Sequence, residues 1–209
     1  MFDSGKYWEQ RYKEGGDSGS GSYGRLAEFK ARILNDLVEE LEIKSIIEWG
    51  CGDGNNCSMY KVEKYIGMDV SETAIALCRD RFQNQTSAQK RFYCLNEIDF
   101  NKDVELTRGY DLAISFDVIY HLIEDDVYRK YMNNLFGSSD RYVLIYSYDG
   151  EIPTTAEHVK YRKFSDFVSE NYSMFRLIRT IQNDYSRVGV KDADPDNTSW
   201  CDFYLFAKE

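Results

Sequence analysis

The sequence is poor in proline, has no paired cysteine motif and contains no long hydrophobic run, and each absence excludes a class of protein. Its five cysteines are an odd number without a Cys-x-x-Cys pair, which argues against a disulfide framework or a zinc ribbon. No 18 consecutive residues are apolar, and the first residues lack the apolar segment of a secretory signal. We therefore expect a soluble, cytoplasmic protein with free thiols.

Positive charge is also scarce. The 209 residues include 26 Lys and Arg against 36 Asp and Glu, which gives a net charge of −10. Such a chain is a poor candidate for a general electrostatic grip on nucleic acid or on an anionic membrane, so neither partner is expected. Aromatic residues make up 15% of the sequence, which argues against disorder, and the length suits one α/β domain.

Hydrophobic patterns alternate between strand and helix until about residue 170, after which two strands follow each other. Strands are predicted at 45–49, 64–70, 91–95, 110–116, 141–148, 175–182 and 201–208, and helices at 25–42, 71–82, 125–136 and 165–170. This alternation predicts a parallel sheet with right-handed crossovers, closed by an antiparallel hairpin at one edge. We predict a single domain over 25–209, preceded by an arm over 1–24.

The arm over 1–24 ends in a glycine- and serine-rich stretch, GGDSGSGSYG, which is typical of a flexible loop. Four aromatic residues precede this stretch: Phe2, Tyr7, Trp8 and Tyr12. Aromatic side chains are costly to leave in solvent, so we predict that the arm folds over a ligand pocket as a lid. The alternative is a disordered tail.

A glycine loop, EWGCGDG, follows the first strand directly at 48–54. Glycines at such a point let the backbone turn tightly and approach a ligand closely. The loop reads G-x-G-x-G and carries the acids Glu48 and Asp53, whose charges would repel the pyrophosphate of a dinucleotide. The pattern therefore favours a ligand that is cationic and free of phosphate, such as S-adenosylmethionine with its sulfonium and ammonium groups.

A further acid, Asp69, stands at the end of the next strand, nineteen residues after Gly50. An acid at this distance accepts hydrogen bonds from the ribose hydroxyls of an adenosine. The structural alternative is a loop of glycines beside an Asp that caps a helix. The glycine loop, the strand before it, Glu48 at the start of the loop and Asp69 after the next strand together favour the adenosine site.

Three segments, EWGCGDG, YIGMDVSETAI and YDLAISFDVIYHL, resemble the class I S-adenosylmethionine-dependent methyltransferases, in order and at the usual spacing over about residues 7–150. The resemblance implies a Rossmann-like three-layer α/β sandwich whose seven-stranded, mostly parallel sheet has the order 3-2-1-4-5-7-6 and an antiparallel last strand. YWEQRY, GSGSYGRLAEFKA and HVKYRKF resemble a bacterial subgroup whose genes often lie among glycan-biosynthesis genes. One departure is that the helix after the glycine loop has space for only about two turns.

The resemblance also assigns cofactor-binding positions. It implies that the glycine loop contacts the methionine part of the cofactor and that the residue ending the second strand contacts the ribose. Residues after the third strand would contact the adenine, and residues at the end of the fourth strand would lie beside the reacting methyl group. The arm would supply a partner for the cofactor carboxylate. The positions are Arg11, Tyr23, Glu48, Gly50, Cys51, Gly52, Gly54, Asp69, Val70, Asn96, Glu97, Ser115, Phe116 and Asp117.

Both histidines are candidate bases. His121 follows the fourth strand, near the expected methyl position, and could act as a base or cap the following helix. His158 precedes a cluster of positive charge, Lys160, Arg162 and Lys163, which could hold an anionic acceptor or form a solvated surface. Tyr120 and Tyr148 are further candidate acceptor contacts, and no metal ligands are expected.

We therefore expect an S-adenosylmethionine-dependent O-methyltransferase that acts on a small-molecule, sugar or glycan-precursor acceptor by in-line displacement, as a monomer or homodimer. A non-catalytic protein that binds the same cofactor is one alternative. A nicotinamide-dependent oxidoreductase is another, against which the two loop acids argue.

Overall fold

A computed structural model describes residues 2–84 and 89–209 of the chain. Seven strands form one sheet in the order β3-β2-β1-β4-β5-β7-β6, which confirms the expected topology. The strands are β1 Ser45–Trp49, β2 Lys64–Asp69, β3 Gln89–Cys94, β4 Tyr110–Phe116, β5 Ser139–Ser147, β6 Phe175–Ile181 and β7 Asp202–Lys208. β1 to β5 pair in parallel, and β7 runs antiparallel between β5 and β6.

Helices cover both faces of the sheet. They are α1 Ser4–Lys13, α2 Gly24–Glu40, α3 Glu72–Phe82, α4 Val104–Thr107, α5 Asp125–Gly137 and α6 Phe164–Asn171. The apolar faces of α2 and α3 pack with Leu112 and Ile114 of β4 on one side. Those of α5 and α6 pack with Ala113 on the other side. The alternation along β4 follows from the two-residue period of a strand, and it produces a three-layer sandwich with two apolar cores.

Local sequence signals set the helix that follows β2. Ser71 precedes α3, and its hydroxyl accepts a hydrogen bond from the N–H of Ala74 at 3.0 Å, as an N-cap does. Glu72 adds negative charge in the first turn of α3, where the helix dipole favours it. The turn between β2 and α3 is thereby fixed in position.

The structure differs from the sequence prediction mainly at the N-terminus and after the glycine loop. Residues 4–13, predicted as part of an irregular arm, form α1, whose N-cap Asp3 accepts a hydrogen bond from the N–H of Lys6 at 2.9 Å. The short helix expected after the glycine loop is only a 3-10 turn, Asn56–Met59. α4 was not predicted, because four residues are too few to show a helical period.

No helix within the described ranges 2–84 and 89–209 is long and apolar enough to cross a membrane.

Shortening a buried side chain at the centre of the sheet should destabilise the fold far more than shortening an exposed one on the edge strand β6. Leu144 of β5 is 0% exposed and Leu177 of β6 is 42% exposed. We expect Leu144→Ala to lower the free energy of unfolding by about 2–5 kcal/mol, because it leaves a cavity in the core. The control Leu177→Ala should change it by about 0.5 kcal/mol or less. Urea denaturation measures both values, and equal losses would contradict the assigned core.

Candidate functional site

A cavity of about 400 Å³ opens at the carboxyl ends of the central strands, beneath α1. In open α/β sheets this edge is where ligands bind. The wall consists of Ser4, Gly5, Trp8, Tyr12, Ser18, Ser22, Trp49, Gly50, Cys51, Gly52, Asn56, Asp69, Val70, Leu95, Asn96, Phe100, Phe116, Asp117, Val118, His121, Leu122, Val127, Lys130, Tyr131 and Asn134. Most of the surface of the cavity is apolar, and its polar groups include the side chains of Asp69, Asp117 and His121.

The glycine loop forms the floor of the cavity with bare backbone. Gly50 and Gly52 have φ angles of +81° and +56°, in the left-handed region that side chains disfavour. A Cβ atom on Gly50 would also collide with Val118, and one on Gly52 would collide with Ser18. Both positions therefore require glycine, and the loop reaches the cavity wall as backbone without side chains.

Asp69 ties the glycine loop to the turn after β2. One carboxylate oxygen accepts the N–H of Gly52 and the other accepts the N–H of Ser71, each at 2.9 Å. Burial raises the pKa of this carboxyl. Each oxygen has a further lone pair, and the side chain lies on the cavity wall, so it can accept hydrogen bonds from a ligand.

The loop acids Glu48 and Asp53 lie behind the wall and support it. Glu48 is buried and accepts a hydrogen bond from the hydroxyl of Tyr65, and burial raises its pKa to about 7. Asp53 accepts the N–H of Asn55 at 3.0 Å and the hydroxyl of Tyr23. Neither acid, nor Tyr23, therefore reaches the cavity directly.

α1 lies over the cavity and is attached at both ends. Near its C-terminal half, the Glu9 carboxylate accepts the hydroxyls of Ser71 at 2.6 Å and Thr73 at 2.9 Å. The hydrogen bond from Ser71 is the main cause that lowers the pKa of Glu9 to about 2. At the other end, the N–H of Ser4 donates to Glu124 at 2.8 Å. These contacts join α1 to the starts of α3 and α5.

The far side of the cavity, after β4, carries a buried ion pair that the sequence analysis did not predict. Lys30 of α2 is 0% exposed, and its ammonium donates to the Oδ2 atom of Asp117. The hydroxyl of Tyr120 donates to the Oδ1 atom at 2.9 Å. Asp117 has a φ of +60°, a left-handed conformation that Asp and Asn tolerate better than most residues. The signal that could have identified Lys30 is its place on the apolar face of α2.

His121 lies on the wall beside Asp117 with a fixed tautomer. Its Nδ1 atom is 2.9 Å from the carbonyl oxygen of His158, and because a carbonyl only accepts, Nδ1 carries the proton. Burial lowers the pKa of His121 to about 4, so the ring is neutral near pH 7. Its Nε2 atom then has a free lone pair, and no hydrogen bond to it is found within the described ranges.

Aromatic packing holds the two histidines under α1. The Trp8 ring meets the His121 ring edge to face at 4.9 Å between centroids, and the Tyr7 ring stacks on His158 at 5.0 Å. The rings of His121 and His158 stack at 5.5 Å. The His158 ring itself does not line the cavity, so it acts here through its carbonyl group and its packing.

Several residues assigned from the resemblance lie away from the cavity wall. Arg11 donates to the carbonyl oxygen of Asp17 at 2.7 Å, which directs it away from a cofactor carboxylate. Glu97 is paired with Arg79 at 2.7 Å. Ser115 accepts the Tyr131 hydroxyl at 2.7 Å. Residues of the predicted set that do line it are Gly50, Cys51, Gly52, Asp69, Val70, Asn96, Phe116, Asp117 and His121.

The positive cluster at 160–163 lies in a second, more open depression of about 680 Å³. Lys160 and Arg162 share one oxygen of Asp125, at 2.6 and 2.8 Å, and Lys163 pairs with Asp166 at 2.9 Å. Arg162 also donates to two carbonyl oxygens at the start of α5. The three cations are therefore already paired with carboxylates.

Two expected acceptor contacts lie outside the wall. Tyr120 contacts the cavity only through its hydrogen bond to Asp117, and Tyr148 packs against the Tyr161 ring at 5.2 Å between centroids.

Asn56 is a cavity residue that the sequence analysis missed. It is 8% exposed, and within the described ranges its Oδ1 atom has no hydrogen-bond partner. An unpaired buried oxygen is costly, and Asn56 lies on the cavity wall, so its Oδ1 atom is available to a polar ligand group. No group of three or more His, Cys, Asp or Glu side chains that could hold a metal ion occurs in the described part of the chain.

Comparison with known proteins matches part of the chain to a family model. Residues 47–137 match a family model described as "Methyltransferase domain". This span contains the glycine loop, Asp69, Asp117 and His121. No curated protein sequence matches the chain.

Solved structures share the fold across nearly the whole chain. The N-methyltransferase NodS from Bradyrhizobium japonicum WM9, in complex with S-adenosylhomocysteine, has a TM-score of 0.69 at 14% identity and 99% coverage of both chains. The magnesium protoporphyrin IX methyltransferase ChlM from Synechocystis PCC 6803, with bound S-adenosylmethionine, has a TM-score of 0.64 at 15% identity, with 100% and 99% coverage. The methyltransferase domain of bacterial CtHen1-C has a TM-score of 0.64 at 18% identity and covers 87% of this chain and 97% of its own.

The attachment of α1 should depend on the Glu9 carboxylate. We expect Glu9→Ala to speed amide hydrogen exchange in α1 at pH 7 by at least tenfold, because it removes charge-assisted hydrogen bonds to α3. Gln10→Ala, on the exposed face of the same helix, is the matched control and should leave exchange unchanged.

The pH dependence of this contact follows from the lowered pKa of Glu9. Its stabilising contribution is full above the ordinary pKa of 4.5 and is lost as pH falls towards about 2. Equal exchange in wild type and Glu9→Ala at pH 7 would show that this contact does not hold α1.

The tautomer and pKa of His121 can be read by nitrogen-15 NMR. We expect a neutral ring protonated at Nδ1 that titrates at about 4, because burial disfavours the imidazolium. The chain has two histidines, so a His158→Gln variant assigns the signals. A proton on Nε2, or a His121 pKa of 6 or more, would contradict the geometry.

Proposed function

We propose that this chain is a class I, S-adenosylmethionine-dependent methyltransferase, as the match of residues 47–137 to a methyltransferase domain supports, and that it methylates a hydroxyl of a small-molecule or glycan-precursor acceptor. The match agrees with the family resemblance of the sequence motifs. The observation that carries the proposal is a cavity with bare glycine backbone between two carboxylates, Asp69 and Asp117.

The residues present fit the cofactor. The glycine loop brings backbone without side chains to the cavity wall, and Asp69 offers free lone pairs for ribose hydroxyls. Val70 and Asn96 lie on the wall beyond Asp69, where an adenine ring would extend. At the opposite end, the unpaired oxygen of Asn56 suits the N–H of an ammonium group. Acidic groups around a cavity without a phosphate cradle favour a cation.

The cofactor supplies an activated methyl group, so the protein contributes mainly binding, alignment and exclusion of water. Asp69 and the glycine loop hold the adenosine and methionine parts. α1 covers the cavity and keeps water from the reacting groups. In-line transfer requires the acceptor oxygen to approach from the side opposite the leaving sulfur.

A hydroxyl acceptor loses a proton during transfer, and His121 can accept it. Its Nε2 lone pair is free because Nδ1 donates to the His158 carbonyl. A neutral imidazole on the cavity wall is the form that a general base requires. This supports catalysis over a purely cofactor-binding role.

Several finer properties belong to the same proposal. We propose that the acceptor is a small molecule or a sugar, since the covered cavity is small, and that the protein binds neither nucleic acid nor membrane, since its net charge is −10. The positive cluster at 160–163 could hold an anionic acceptor only by displacing the paired carboxylate of Asp125. The five cysteines are buried and free, which supports a cytoplasmic location. We further propose that the protein is a monomer or a homodimer.

Asp69→Ala should weaken S-adenosylhomocysteine binding by at least tenfold, because it removes the ribose contact and releases the glycine loop. Asp140→Ala, on the exposed start of β5, is the control and should change affinity by less than twofold. Isothermal titration calorimetry measures both, with NAD as a second ligand. Tight binding of NAD, with no binding of S-adenosylhomocysteine, would overturn the proposal.

Transfer itself is tested with methyl-labelled cofactor and a panel of sugars and small alcohols. We expect label in an ether product, and His121→Phe should lower kcat by at least a hundredfold while leaving cofactor affinity within threefold. Binding of the cofactor without transfer to any member of the panel would favour the non-catalytic alternative.

A further inference from the structure

A buried ion pair, Lys30–Asp117, lies beside the reacting end of the cavity, and the proposed function as stated does not use it. Lys30 is 0% exposed, whereas the Asp117 side chain is 14% exposed and lies on the cavity wall. Burying two charges has a large desolvation cost, and such a pair is often no more stabilising than apolar residues of the same size. A contribution to stability alone is therefore a weak explanation for the pair.

The sheet topology places Asp117 across the glycine loop from Asp69. β2, β1 and β4 are neighbours in that order, and Asp69, the glycine loop and Asp117 stand at their carboxyl ends. Neighbouring strands are about 4.8 Å apart, so the two carboxylates lie roughly two strand spacings from each other with the loop between them. If ribose were held at Asp69 and the methionine part along the loop, the end of the cofactor that carries the methyl group would lie on the Asp117 side of the cavity.

The Asp117 carboxylate is held in one orientation. Its Oδ2 atom accepts from Lys30, and its Oδ1 atom accepts from Tyr120 at 2.9 Å. The left-handed backbone at Asp117, with φ of +60°, is a conformation that folds keep mainly where the surroundings enforce it. Each carboxylate oxygen still has a lone pair available to a ligand.

We propose that Asp117 binds the acceptor by accepting a hydrogen bond from the N–H or O–H of the nucleophile, and that Lys30 is the residue that positions it. The inference rests on the proposed function and excludes anionic acceptor groups. A hydroxyl makes this contact and an amine would also make it, whereas a carboxylate or phosphate anion has no proton to donate to Asp117. The single proton of a bound hydroxyl is donated to Asp117, and the neutral His121 ring beside Asp117 takes that proton up during transfer.

Sinefungin tests the proposal without knowledge of the acceptor. In this compound an amine-bearing carbon replaces the sulfonium and its methyl group, so its ammonium projects to where the nucleophile would bind. S-adenosylhomocysteine lacks that group. We expect wild-type protein to bind sinefungin at least tenfold more tightly than S-adenosylhomocysteine by calorimetry, because the ammonium pairs with Asp117.

Two substitutions should move this preference in opposite directions. Asp117→Asn keeps a residue that tolerates positive φ but removes the charge, so the preference should fall below threefold. Lys30→Met removes the competing cation, so the ammonium becomes the partner of Asp117 and the preference should rise. If Asp117 had a purely structural role, Asp117→Asn would weaken the binding of sinefungin and of S-adenosylhomocysteine equally. Asp126→Asn, an exposed acid at the start of α5, is the charge-matched control and should leave the ratio unchanged.

The outcomes separate this inference from the proposed function. Binding of neither ligand to wild type would overturn the proposed function itself. Equal binding of both ligands to wild type, or an unchanged ratio in Asp117→Asn that still binds S-adenosylhomocysteine, would overturn the role of Asp117 alone. A methyl ester formed from a carboxylate acceptor would also overturn it. If Lys30→Met does not fold, the wild-type ratio and Asp117→Asn still decide the question.

Discussion

The carboxylate of Asp69 joins two loops that come from neighbouring strands. Because it accepts the N–H groups of both Gly52 and Ser71, the turn after β1 and the turn after β2 hold each other in place. Ser71 in turn caps α3 and donates to Glu9 of α1, so the cover of the cavity is attached to the same point. Floor, wall and cover of the site thus meet at a single buried side chain and its partners.

Where residues expected at the site do line the cavity, backbone requirements are the cause. A glycine loop directly after a strand, and an acid at the end of the next strand, have few other structural explanations. For that reason Gly50, Gly52 and Asp69 could be placed at the cavity before any coordinates were known. The strand order was expected from the family resemblance and is confirmed. The alternation of strands and helices along the chain also leaves few ways to cover both faces of the sheet.

Long-range pairing of side chains could not be predicted in the same way. Arg11 was expected at the cofactor, but the loop that follows α1 brings Asp17 to it. Lys160, Arg162 and Lys163 were expected to hold an anionic acceptor or to form a solvated surface, but Lys160 and Arg162 pair with Asp125 and Lys163 pairs with Asp166. Both results depend on where distant or looping segments come together, which residue type and spacing do not specify.

The double attachment of α1 has a kinetic consequence. The helix lies over the cavity between its contacts with Glu124 and Ser71, so we expect a ligand as large as the cofactor to enter or leave when one of these contacts breaks. The association rate constant is then set by how often α1 opens and lies well below the diffusion limit of about 10⁹ M⁻¹s⁻¹. Release of the spent cofactor is subject to the same opening rate, which places an upper limit on turnover that no improvement of the reacting groups would raise.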